Sequence, residues 1–274
     1  MKSFLTLLNN YLVFGCLVCS SCTHYYYAPE EGNLLALNEK GDLRVSASLG
    51  VAPSDSRNTF IAFQAGYSPS KNIAFQFSYS RLNNFYNNEK IGKIYIASGA
   101  IGFYHFKEFE RLNEETPDNF SKQGLLFDAY LGYGIGEVHN YYFGGGRSNF
   151  IFSKTYFQGG FHWQGKIIGI DIVGRIVRLD YNKGILSGNI DNSHWFAIDR
   201  LSENNPYFLF ESSSRLHFGN KYVKFFFSQT MVFPQFYSSN IDYLVKSFHI
   251  GALVDIDSFF EKKSSSKKKP SSKK

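Results

Sequence analysis

Asp180, Asp191, His194, Asp199 and Glu203 crowd one polar stretch of the chain, the kind of group that could activate water against an ester or peptide. A second set alternates along two neighbouring stretches, with Asp171 and Arg175 in the first and Glu211, Arg215 and His217 in the second. Glu211 and His217 share a parity and could act as acid and base, yet the arginines beside them offer a simpler role, mutual neutralisation. Other chemical signatures are missing. The seven histidines (His24, His105, His139, His162, His194, His217, His249) are scattered with no HExxH spacing. Gly144-Gly145-Gly146-Arg147 is followed by no helix carrying Lys-Ser or Lys-Thr, so it is a loop tip and not a phosphate cradle. No G-x-S-x-G elbow occurs. No catalytic, metal or cofactor site is therefore assigned, and the chain is not expected to be an enzyme.

These charges must be positioned by strands, because apolar and polar residues alternate with period two from Asp42 onward. In Gly41–Val51, Leu43, Val45, Ala47, Leu49 and Val51 oppose Asp42, Arg44, Ser46 and Ser48. The pattern recurs in Lys71–Arg81, Gly124–Gly136, Lys166–Asp180, Pro206–Gly219 and Val245–Asp257, and more weakly in Asn58–Ser68, Ile91–Phe106, Ile151–Trp163 and Tyr222–Phe233. That predicts ten strands, each reaching the roughly 9–11 residues of a tilted membrane strand. One antiparallel register sets Asp171 opposite Arg215 and Arg175 opposite Glu211 together, so these four are expected to form lumen ion pairs. Closure of first strand on last is expected to bring Arg44 to Asp255, with Ser46 and Ser48 facing Leu253 and Gly251.

Connections support the same architecture. Tight turns at 67–71, 163–166 and 219–222 alternate with expected long loops near 81–91, 136–151, 180–206 and 233–245, the habit of outer-membrane barrels. Lys107–Gln123 breaks the rule, being long on the short-turn side. Polar faces rich in Ser, Gly, Gln and matched charges suit a narrow lumen, whereas a solvent-bathed face would carry Lys and Glu. The expected fold is an all-β, antiparallel up-and-down transmembrane β-barrel of ten strands, with a lipid-anchored, lipocalin-like carrier as the rival arrangement.

The ends of the 274-residue chain differ from this body. Lys2, the apolar run Tyr11–Cys19 and the small Ser20-Ser21 before Cys22 predict a lipoprotein signal peptide over 1–21. Cys22 is the expected lipidation site, and Cys16 after Val13-Phe14-Gly15 competes with it. Residues 22–40 are expected to be an N-terminal tether, 41–260 the barrel and 261–274 a disordered Lys-rich tail. That tail holds seven Lys and one Glu, equal to the whole formal net charge of +6, which removes the case for nucleic-acid binding by the body.

Cys22-Thr23-His24-Tyr25-Tyr26-Tyr27-Ala28-Pro29, Glu39-Lys40-Gly41-Asp42-Leu43-Arg44 and Gly66-Tyr67-Ser68-Pro69 resemble the uncharacterised outer-membrane β-barrel lipoproteins of Bacteroidota-type bacteria. The likeness covers the N-terminal third by motif and the rest by pattern. It implies an outer-membrane barrel and supplies no catalytic residues. Cys19, where such a lipobox usually has Leu, and the Lys-rich tail depart from it. The function expected is a structural, adhesive or surface-binding role through long extracellular loops without a wide pore. The alternatives are a hydrolase at the extracellular rim and the lipid-anchored carrier. Expected partners are outer-membrane lipid and a surface ligand or envelope protein, with no cofactor. The expected location is the cell outer membrane, with the chain anchored through its N-terminus and both termini periplasmic.

Overall fold

A computed structural model describes residues 24–32, 35–52, 57–86, 89–109, 123–182, 184–190, 198–199, 201, 206–234 and 243–257. Ten long strands follow the alternation: β1 (Leu43–Ala52), β2 (Arg57–Tyr67), β3 (Ile73–Tyr86), β4 (Glu89–Glu108), β5 (Gly124–Tyr141), β6 (Arg147–Gln164), β7 (Ile168–Tyr181), β9 (Tyr207–Gly219), β10 (Val223–Pro234) and β11 (Lys246–Asp255). A short β8 (Ile185–Ser187) lies in the β7–β9 connection and pairs with the start of β6. Every pairing between these strands is antiparallel, and β1 closes on β11 to complete the ring. The fold is a closed ten-stranded barrel.

Alternation decides which face looks out. Along β7, Ile168, Ile170, Ile172 and Ile176 are 42–53 % exposed while Asp171 and Arg175 are 1 % exposed. The apolar faces therefore coat the outside, which overturns the carrier arrangement, in which they would line a cavity. Along β4 the outward residues are apolar or small from Phe103 to Tyr95, with Lys93 above and His105 and Lys107 below. That stretch matches the roughly 9–11 residues a tilted strand needs to cross a bilayer. No helix among the described residues is long and apolar enough to cross; the strands form the apolar belt.

Two expected long loops are largely strand. β3 and β4 continue to Tyr86 and from Glu89, and β5 and β6 to Tyr141 and from Arg147, so the connections near 81–91 and 136–151 shrink to short turns. Cross-strand pairing carries the ladder past the belt into polar sequence such as Asn83, Asn84 and Asn149, where the apolar alternation that marks membrane strands has faded. At the β5–β6 turn Gly144 and Gly145 adopt positive φ of 99° and 87°, which only glycine takes without strain. The expected cluster Asp191, His194 and Glu203, most of the Lys107–Gln123 connection, Cys16, Cys22 and the 261–274 tail lie outside the described residues.

The largest departure precedes β1. Residues expected to form an N-terminal tether run inside the barrel. Tyr25, Tyr26, Tyr27, Glu30, Glu31, Leu35 and Leu37 are all buried. This segment enters beside Tyr141 and Tyr142 at the rim carrying the β5–β6 turn, here called the upper rim, and leaves at the opposite, lower rim near Asp42. Asp42 Oδ2 there accepts the backbone N–H groups of Asn38 (2.6 Å) and Glu39 (3.2 Å), and Gly41, at φ 94°, turns the chain up into β1. The described chain thus begins at the upper rim with His24, while β11 ends at the lower one. The physical reason is electrostatic: buried cations on the wall need carboxylates that the strands do not fully supply.

Candidate functional site

The candidate site is the lumen together with the segment that fills it. β5 makes room by presenting Gly132 and Gly136 inward, so that Tyr156 and Phe152 of β6 lean across space a Cβ would occupy. At the upper rim, His24 Nε2 donates to the Tyr141 carbonyl (3.0 Å) and its ring lies 4.5 Å from that of Tyr142. Tyr26 and Tyr142 join hydroxyl to hydroxyl (3.1 Å), and Tyr181 donates its hydroxyl to the Tyr26 carbonyl (2.9 Å). Burial pushes the Tyr142 phenol above its ordinary range, against the pull of its bonds to Ser148 and Tyr26, so it stays a neutral donor. Below this, the Tyr27 carbonyl accepts from Leu244 N–H (2.9 Å) and the Tyr27 hydroxyl donates to Glu211.

Two adjacent acids then bridge opposite walls. Glu30 accepts from Ser78 of β3 (3.0 Å), Ser98 of β4 (3.1 Å) and Lys154 Nζ of β6 (2.9 Å). Glu31 accepts from Ser48 of β1 (3.0 Å), Arg215 Nη2 of β9 (3.0 Å) and the Ser228 hydroxyl of β10. Alternation puts neighbouring side chains of an extended segment on opposite sides, so one Glu-Glu pair reaches both halves of the ring. Gly32 N–H donates to Ser213 Oγ (2.9 Å).

The expected ion pairs meet this segment unevenly. The register sets Asp171 opposite Arg215 and Arg175 opposite Glu211, as the constant index sum requires. Arg175 Nη1 lies 3.5 Å from Glu211 Oε2, and Glu211 also holds Lys154 at 3.5 Å. Arg215, however, takes Glu31 as its carboxylate and stacks 4.0 Å over Phe226. Asp171 instead contacts His162 Nδ1 (3.0 Å), whose Nε2 faces Asp128 Oδ2 (3.0 Å), and lies 3.7 Å from His217. A direct Asp171–Arg215 contact is thus corrected: facing backbone positions do not force contact when nearer partners compete. Glu211 and His217 are engaged with different groups and do not form an acid–base couple. At the seam, Arg44 Nε lies 3.1 Å from Asp255 Oδ2, and Arg44 Nη2 lies 3.3 Å from Asp42. Asp180 is paired with Arg178 at 3.0 Å on the outer surface.

Glu30, Glu31, Lys154 and His162 escaped the sequence reading. A signal existed, since two adjacent acids in the largely apolar run from Tyr25 to Leu37 are costly unless paired. Among the described residues no cluster of His, Cys, Asp and Glu has the arrangement of a metal site.

A closed barrel with apolar exterior and a polar, filled interior is the fold of an outer-membrane β-barrel. No family model matches the chain, and no curated protein matches it. Solved structures similar to it include in-vitro folded OmpT, an outer membrane protein of Vibrio cholerae, at 8 % identity and TM-score 0.27, covering 78 % of this chain and 96 % of that one. Another is a loop L8 deletion mutant of that OmpT, at 7 % identity and TM-score 0.27, covering 78 % and 97 %. The fold assignment rests on this chain's own register and faces.

Proposed function

We propose that the protein is an outer-membrane barrel closed to permeation, which holds its upper rim outward in a structural, adhesive or surface-binding role. The observation that carries this reading is the filled lumen, with Glu30 and Glu31 anchored to both walls. Three of the four lower-rim connections are short turns, the β4–β5 connection 109–123 being the exception, which suits the periplasmic side, and the longer connections 182–206 and 235–245 suit the outer side. A lipid on Cys22, as in the Bacteroidota-type lipoproteins that the sequence resembles, belongs to this reading as the anchor. Of the rim hydrolase's residues, Asp191, His194 and Glu203 lie outside the described residues, and Asp180 is paired with Arg178.

An epitope inserted directly before His24 is expected to be reached by antibody on intact cells. Protection on intact cells, with exposure only after the outer membrane is permeabilised, would reverse the orientation.

A further inference from the structure

On the outer face of β3 and β4, just above the belt, three cations converge. A bulge inserts Ile91 between Gly92, which faces Asn84, and Lys90, which faces Phe85. Without that extra residue Lys90, three positions from Lys93, would point to the lumen; with it, both lysines share the outward face. Arg81 Nε and Lys90 Nζ both donate to Asn83 Oδ1, at 3.3 and 3.0 Å. Arg81 Cζ and Lys93 Nζ lie 5.4 and 5.8 Å from the centre of the Tyr95 ring, the last outward aromatic of the β4 belt. Toward the same rim His139 is matched with Glu137 (3.0 Å) and Arg178 with Asp180 (3.0 Å) on their own strands, while Lys246 lies over the Phe248 ring (4.6 Å). Among the described residues no carboxylate pairs with Arg81, Lys90 or Lys93.

Like charges held together around one neutral oxygen repel unless an anion joins them. A phosphate offers acceptors to a guanidinium fork and two ammonium groups at once. We propose that Arg81, Lys90 and Lys93, with Asn83 and Tyr95, form a site for the phosphate of a lipid headgroup in the leaflet around the upper rim. The lipid, and not free phosphate, is the source because the site opens sideways directly above Phe103–Tyr95, where acyl chains lie against the wall. This inference rests on the membrane reading above.

Native mass spectrometry of the full chain in neutral detergent tests it, with bisphosphorylated lipid A, the same lipid dephosphorylated, and inorganic phosphate as probes. Phosphorylated lipid A is expected to be retained by the wild type. At least tenfold more of it should be needed for equal occupancy of R81Q/K90Q/K93Q, while R178Q behaves as wild type. Heat-modifiable gel migration checks that each variant folds, and resistance to carbonate extraction tests the membrane reading separately. Equal retention by wild type and the folded triple variant, or equal retention of dephosphorylated lipid, would overturn the site. Binding of inorganic phosphate with no lipid retained would overturn the lipid source.

Discussion

Replacing Glu31 by Ala is expected to cost the barrel roughly 3–5 kcal/mol, because it removes the carboxylate 3.0 Å from a guanidinium that is itself 1 % exposed. The same change strips Ser48 and Ser228 of their shared acceptor. Fraction folded, read from unboiled gels across a urea titration, should fall at lower denaturant than for the wild type. Adding R215M should restore part of the loss, since the buried charge then leaves together with its partner. Wild-type stability of E31A, or strictly additive losses in the double variant, would remove the plug from the account of stability. In planar bilayers the wild type should show no steady conductance, while folded E30A/E31A should leak.

The second large effect is at the seam. Ala47 and Ala252 are facing partners of β1 and β11 on the outward face, and such partners lie roughly 4.5–5.5 Å apart between Cα atoms, within disulfide range. With Cys16, Cys19 and Cys22 changed to Ser, A47C/A252C should crosslink nearly completely on oxidation of the folded protein. A47C/I250C shares the face but is offset by two residues, roughly 7–8 Å diagonally, and should crosslink far less. Without this seam both strands would leave amides unpaired in lipid, each costing several kcal/mol. Failure of A47C/A252C with efficient crosslinking at the offset pair would shift the shear; failure of both would open the ring.

The strands were legible because a membrane wall writes itself with period two: Ile168, Ile170 and Ile172 must face out if Asp171 faces in. The β7–β9 register was legible for a second reason, since two charge pairs agree on one alignment. The N-terminal segment was not, because a segment threaded through a lumen is surrounded on all sides and carries no apolar–polar alternation. Tyr25-Tyr26-Tyr27 and Leu35-Ala36-Leu37 therefore resemble a linker. What marks them as interior is a relation across the whole chain, Lys154, Arg175 and Arg215 sharing Glu211, Glu30 and Glu31. Lys154 itself sat in a weakly patterned strand, where Ser153 and Thr155 blur the outward face. Likewise Asp171 faces both His162 on β6 and Arg215 on β9, and it contacts the imidazole while Arg215 turns to Glu31.

The segment inside the barrel is tested most directly by a covalent link to the wall. Gly32 N–H already bonds Ser213 Oγ at 2.9 Å, and a Cβ on Gly32 would sit 2.7 Å from Ser213 Cβ, so a small outward shift reaches disulfide spacing of about 3.8 Å. In the background lacking Cys16, Cys19 and Cys22, G32C/S213C should form an intramolecular disulfide in the folded protein and resist labelling by a bulky maleimide until it is both reduced and unfolded. No disulfide on oxidation, together with ready labelling of the residue-32 thiol in the folded barrel, would contradict the threaded lumen.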